Sequence, residues 1–382
     1  MGYNRATSRK IVLIRSNNIY ADSRVEKEIK SLVSAGYEVE IIGWSRDNDK
    51  LLSPETYLTY NNKKIKVHFA QIPAPMGGGK KNLIALAKFQ KYIYSKLEKI
   101  SDIDAIHACD FNTGFAAFLY SKKNKIPLVY DIFDYYTEAY PVPSILIPVI
   151  KTMENTIINN ANTVILVKEN RLEQIKGTKP KKVEIIHNSP EGVAIGNSKT
   201  TLDPNCINFV FIGALNEHRF IEEILDLVSH TPEWRIVFGG DGNLVKKIKH
   251  YESRHSNVEY IGTMPYVEVL EREKNADIMF AMYDPQIPNH KYSAPNKFYE
   301  ALMLGKPIIV ANDTGIDQDV IKNSAGITSD YNTESFKEAV NNMFDIDLVE
   351  LSKHSNKVFN EKYSWTIMEK KLLSIYNDIF KD

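Results

Sequence analysis

The chain has 382 residues, 43% hydrophobic and 25% charged, enough for two soluble domains of ordinary size, each with its own core. Two cysteines, Cys109 and Cys206, exclude a disulfide framework and a cysteine metal site, and no apolar run approaches the roughly 18 residues that read as a membrane span. The 48 basic and 48 acidic residues cancel unevenly: residues 1–195 hold 28 Lys and Arg against 20 Asp and Glu, a surplus of +8, and residues 196–382 carry −8. A basic N-terminal half suits an anionic partner, such as a membrane surface or a lipid-linked phosphate. A reducing cytoplasm is the expected compartment, the polar opening MGYNRATSRK reads as no signal peptide, and nucleic acid is not expected as a partner.

The run 10–15 (KIVLIR) reads as a first strand and 38–44 (EVEIIGW) as a second. Between them Val25, Ile29, Leu32 and Val33 repeat at helical spacing, and Gly36 closes the helix. Strand–helix–strand order predicts a parallel sheet with right-handed crossovers. The loop Ser16–Ala21 has no glycine, which argues against a nicotinamide-binding motif. A further strand is expected at 65–70. Gly77-Gly78-Gly79 reads as a hinge before a helix at about 81–100, whose apolar positions are accompanied by Lys80, Lys81, Lys88, Lys91, Lys96 and Lys99. Such a helix can lie on anionic lipid, or it can face the core with a solvated lysine side.

Short buried strands are predicted at 104–107 and 127–131, ending near His107, Asp110 and Asp134. Ligands of open α/β sheets bind at the C-terminal ends of strands. A lone His there is also often structural. The apolar stretch 140–150 (YPVPSILIPVI) can seat on a bilayer over 142–150, line a lipid groove, or pack between domains. Strands at 163–167 and 183–187 complete domain 1–195, and the Gly/Ser/Thr/Pro-rich segment 191–205 reads as the linker.

Domain 196–362 repeats the rhythm, with strands at 207–212, 235–239, 258–261, 277–281 and 307–311 and helices near 220–229, 243–255, 266–274 and 296–304. In the last helix Pro295 suits the start and Gly305 the stop. Its N-terminus favours an anion, Lys297 adds a full charge, and Glu300 can accept two hydroxyls of a sugar or ribose. Gly239-Gly240-Asp241-Gly242 permits close backbone approach to a ligand. Asp-x-Asp patterns at 102–104, 317–319 and 345–347 are assigned to surface turns, and no metal ligands are named.

The segment Pro295-Asn296-Lys297-x-x-Glu300-Ala301-Leu302-x-Leu304-Gly305-Lys306-Pro307 resembles the donor-binding signature of the family-four retaining glycosyltransferases, closest to their PNKxxE branch. Asp22-Ser23-Arg24-Val25 with AGYEVEIIG, the segments at His107–Asp110 and Asp131–Asp134, Asn188–Glu191, and Tyr363-Ser364-Trp365 are similar to other family motifs. The resemblance implies an α/β GT-B fold: two Rossmann-like doubly wound parallel-sheet domains facing a cleft, with a helix at 363–382 crossing back to the first. It implies transfer of a sugar, with retained configuration, from a nucleotide-sugar donor to a lipid-linked or growing surface-glycan acceptor.

On the donor side it assigns Glu300 to the ribose and Lys297 and Arg219 to the diphosphate. Gly213, Gly240, Gly242, Thr263, Met264, Tyr292, Ser293, Ala294 and Asn296 would surround them. His107, Asp110 and Asp134 fall on the acceptor side. A front-face reaction in which the leaving phosphate takes the acceptor proton needs no protein base, no metal and no other cofactor. Two departures stand out: Tyr292 replaces the family's second Glu, and Ala214 replaces its first basic phosphate ligand. They leave open a non-catalytic partner of the same fold; a nucleotide-sugar epimerase is a further alternative.

Overall fold

The computed structural model describes residues 8–20, 22–47, 52–74, 82–140, 142–192 and 201–381. Its chain divides into two units, Met1–His187 with Met368–Asp382, and Asn188–Ile367. The division falls before the predicted linker, at Asn188, whose side chain donates to Asn296 of the second unit at 2.5 Å. Of that linker, 193–200 lie outside the described residues, as does the glycine hinge at 77–79.

The first unit is built on β1 (Lys10–Ile14), β2 (Glu38–Ser45), β3 (Glu55–Tyr60), β4 (Lys63–Gln71), β5 (Ala105–Cys109), β6 (Leu128–Ile132), β7 (Thr163–Leu166) and β8 (Val183–Ile185). They pair in the order β3-β4-β2-β1-β5-β6-β7-β8, parallel except for the antiparallel edge strand β3. The central strands β1, β5 and β6 are almost wholly buried, which is why they read as continuous apolar runs. The helix Ser23–Ser34 starts where Asp22 accepts from the Val25 N–H. The helix Leu83–Leu97 buries Ala85, Phe89, Ile93 and Leu97, and Phe89 stacks on Trp44 at 4.4 Å. Its core-facing side is therefore present, with Lys88 and Lys91 exposed on the other.

The helix Trp365–Ile379 enters the first unit from Met368 onward. There Tyr376 is fully buried, Lys371 donates to the Ile185 carbonyl at 2.9 Å, and Lys182 pairs with Asp378 at 2.7 Å.

The second unit carries β9 (Ile207–Ala214), β10 (Trp234–Asp241), β11 (Val258–Tyr260), β12 (Ile278–Ala281), β13 (Ile308–Ala311) and β14 (Gly326–Ser329). All pairs are parallel, in the order β11-β10-β9-β12-β13-β14. One face is filled by Phe209, Phe211, Phe220, Phe280 and Phe336, and the other by Val210, Ile212, Phe298, Leu302 and Ile308. The Asp-x-Asp segment 317–319 is not a surface turn. It lies in the helix Ile316–Lys322, where buried Asp317 accepts from the Asp313 N–H at 3.0 Å. The segment 345–347 does lie in an exposed turn, where Asp347 caps the helix Leu348–Val358.

Candidate active site

Both sheets reverse their direction of winding once, the first between β1 and β5 and the second between β9 and β12. At such a reversal the crossovers leave on opposite faces, and a crevice opens beyond the strand ends. In each unit several of the candidate residues stand at those strand ends.

In the first unit Arg15, just after β1, is the organising group. Its Nε donates to Asp22 at 2.7 Å and its Nη1 to Asp110, while its guanidinium lies 4.1 Å from the Phe133 ring centre. Asp110, at φ 63°, also accepts from the backbone N–H of Phe133 at 2.8 Å and of Asp134 at 3.2 Å. Asp110 thereby ties the ends of β1, β5 and β6 together. Asp134 accepts from Arg171 at 3.0 Å and keeps its side chain 41% exposed. The sequence reading overlooked Arg15; its position at the end of a buried strand was the available signal.

His107 is not in that group. It is fully buried, with Nδ1 2.7 Å from the Tyr376 hydroxyl and Nε2 3.5 Å from Asp131 and 3.8 Å from Glu28. Arg24 lies between the two acids, 3.1 Å from Glu28 and 3.0 Å from Asp131. Glu28, His107 and Cys109 are close enough to share an ion, but the guanidinium already supplies the positive charge in this core.

In the second unit β9 ends at Gly213-Ala214 beside Gly240-Asp241 of β10. A Cβ on Gly240, at φ 111°, would stand 2.0 Å from the Gly213 carbonyl oxygen, and one on Gly242 2.2 Å from that of Leu215. Both glycines are thus required by the approach of the two strand ends. Lys297 reaches across from the helix Asn296–Leu304, donating to the Ile212 carbonyl, 4.4 Å from the centre of the Phe211 ring. Its Nζ lies 3.1 Å from where a Gly213 Cβ would be. Ala214 is exposed beside it.

Arg219 leans on Tyr283, 5.0 Å from its ring centre, and His218 pairs with Asp284 at 2.9 Å. These contacts fasten the 213–219 loop to the end of β12. The following loop is held by Ser293, which donates to the carbonyls of His290 at 2.7 Å and Thr314 at 3.1 Å. Tyr292 and Ala294 are half-buried beside it. Burial pushes the His290 imidazole below its ordinary pKa.

Glu300, one turn after Lys297 and 4% exposed, accepts from the Tyr266 hydroxyl at 2.8 Å. The helix has no side-chain cap, so its first N–H groups are not taken up by one. The Met264 methyl lies 3.2 Å from where a Gly239 Cβ would be, and Thr263 is exposed next to it. The second unit therefore offers a buried cation, a buried carboxylate one turn on, a helix N-terminus and an arginine on neighbouring loops. That set can neutralise a phosphate and accept hydroxyl hydrogen bonds.

Residues 197–361 match the family model for glycosyl transferases group 1, and residues 23–189 match that for Glycosyltransferase Family 4. The chain is a glycosyltransferase of GT-B fold. None of the curated proteins compared matches this glycosyltransferase in sequence. Among solved structures it is similar to sucrose-phosphate synthase from Thermosynechococcus elongatus, with a TM-score of 0.75 at 15% identity over 98% of this chain and 99% of that one. It is also similar to Anabaena HepE in complex with UDP and glucose, with a TM-score of 0.70 at 13% identity over 97% and 100% of the two chains. An E. coli trehalose-6-phosphate structure bound with UDP-2-fluoro glucose superposes with a TM-score of 0.68 at 11% identity over 97% and 98%. At these identities the likeness is one of fold.

Proposed function

We propose that this glycosyltransferase takes its sugar from a UDP-linked donor, GDP being the second choice, and passes it with retained configuration to a lipid-linked or growing surface glycan. The observation that carries the donor assignment is the pair Lys297 and Glu300, both buried, one turn apart at a helix start beside the winding reversal of the sheet. The helix start, Lys297 and Arg219 neutralise the departing diphosphate, and Glu300 accepts the ribose hydroxyls. That charge is supplied by cationic side chains and backbone dipoles, so the proposal includes independence from divalent metal. The leaving phosphate takes the acceptor proton, and no protein base is assigned. The UDP-bound solved structures of the same fold favour UDP over GDP.

A peripheral position on the inner membrane face is part of the proposal. No described helix is long and apolar enough to cross a membrane. The first unit instead exposes Ile84 (72%), Ile145 (84%) and Val149 (54%), and its charge surplus lies in the same half of the chain. A donor-binding partner without turnover is the second reading, favoured by Ala214 at the phosphate loop.

A melting-temperature panel with UDP, GDP, ADP and CMP, with Mg²⁺ or EDTA, tests the donor assignment. Selective stabilisation by UDP, unchanged by EDTA, is expected. Stabilisation only with Mg²⁺ would contradict the metal-free mechanism, and indifference to every nucleotide would contradict the donor site. UDP release from candidate UDP-sugars separates turnover from binding alone.

A further inference from the structure

One buried acid beside the donor site has no part in the scheme above. Glu273 lies on the helix Tyr266–Asn275, seven residues after Tyr266, so the two side chains leave nearly the same face. That helix packs against Asn296–Leu304. Glu273 is 1% exposed, and neither of its carboxyl oxygens has a hydrogen-bond partner among the described residues. The ionisable groups facing it are Glu300 and Lys297 of the neighbouring helix and Tyr266 of its own. β9 also packs on this helix and brings no ionisable side chain.

A carboxylate removed from water needs donors or a close cation to keep its charge. The two acids here differ in that respect. Glu300 receives the Tyr266 hydroxyl, and Glu273 receives no donor. Burial first, and the negative charge of Glu300 second, push the Glu273 acid well above the usual carboxylate range against the opposing pull of Lys297. Of two neighbouring acids, the one without donors keeps the proton.

We propose that Glu273 is a positioning residue held as a neutral carboxylic acid, which leaves the negative charge on Glu300 for ribose hydroxyls and the positive charge of Lys297 for the donor diphosphate. This rests on the donor assignment made above. Once ionised, Glu273 gives Lys297 an internal counter-ion and sets a second negative charge behind Glu300. Both effects weaken the hold on an anionic ligand, so the donor site loses affinity at alkaline pH.

The test compares wild type with Glu273→Gln, measuring the ligand-free melting temperature from pH 5 to 9 and UDP affinity by calorimetry from pH 6.5 to 9.5. The folded chain keeps a proton that the unfolded chain releases, so this group costs wild-type stability as pH rises. Gln is neutral throughout, and its melting temperature should climb relative to wild type over that range. Wild-type affinity for UDP should fall as Glu273 ionises, by at most about tenfold per pH unit, and that of the variant should change by less than about twofold. A melting difference that stays constant with pH overturns the neutral acid, whether or not UDP binds. Parallel affinity profiles overturn the positioning role. Absence of UDP binding by wild type at every pH removes that role together with the donor assignment, even where the melting difference grows. Should Glu273→Gln not fold, Glu273→Met, also neutral and of similar length, carries the same comparison.

Discussion

At the residue scale the charged side chains of the glycosyltransferase fall into two groups, those that hold strand ends together and those proposed to meet an anion. Arg15, Asp110 and Arg24 belong to the first, each with protein partners on several elements. Arg219, half-buried, is proposed for the second; it donates to the Tyr283 hydroxyl at 3.4 Å. Arg219→Ala should raise the dissociation constant for UDP by about tenfold, the loss of a charge-assisted hydrogen bond to phosphate, and leave UMP affinity less affected. Equal losses for both nucleotides would place Arg219 elsewhere. Gly240→Ala puts a methyl 2.0 Å from a carbonyl oxygen at a positive φ. It should cost about 2–4 kcal/mol in urea unfolding, and a neutral result would contradict the packing of these strand ends. The sequence showed Lys297, Glu300 and the glycines because their spacing is local. It could not show Glu273 or Tyr266, whose meaning depends on two helices packing, nor that His107 points into a core closed by Tyr376, which lies 269 residues away.

At the element scale, most strands and helices were legible, since buried parallel strands are short apolar runs and the helices carry clear periodicity. The strand β3 was not. Its residues alternate between exposed and half-buried, leaving no apolar run. The signal it did carry was Asn61-Asn62, both at positive φ (49° and 61°), in a two-residue hairpin joining β3 to β4. The helix Leu83–Leu97 shows the limit of a pattern: its buried face is a core contact, and its lysine face is left to solvent or lipid. Vesicle sedimentation decides between them. Wild type should pellet with vesicles of anionic lipid and release at high salt. Lys88→Glu with Lys91→Glu should cut the bound fraction severalfold, and Ile145→Ser with Val149→Ser should do so even at low salt. Equal pelleting of all three proteins would assign both surfaces to solvent.

At the scale of the whole molecule, the two sheets share one plan, and the charge does not: +8 in residues 1–195 against −8 in residues 196–382. The anionic half holds Lys297, Arg219 and the helix start assigned to the diphosphate. Stability should also respond to pH through Glu154, fully buried against the Tyr130 hydroxyl at 2.9 Å and pushed up to about 8, chiefly by burial. The folded chain retains this proton while the unfolded chain releases it near 4.5, so stability falls as pH rises between those values, by up to about 1.4 kcal/mol per pH unit. Glu154→Gln should therefore gain on wild type in urea unfolding at pH 8 relative to pH 5, and a gap independent of pH would contradict the buried neutral acid. Most of the proposed function hangs on the second unit binding the donor nucleotide through Glu300, one turn into its helix. Calorimetric titration of UDP into wild type and Glu300→Ala, in EDTA, tests it most directly. Wild type should bind, and the variant should lose about ten- to a hundredfold, the value of hydrogen bonds to a buried carboxylate. Equal affinity in both proteins would contradict it.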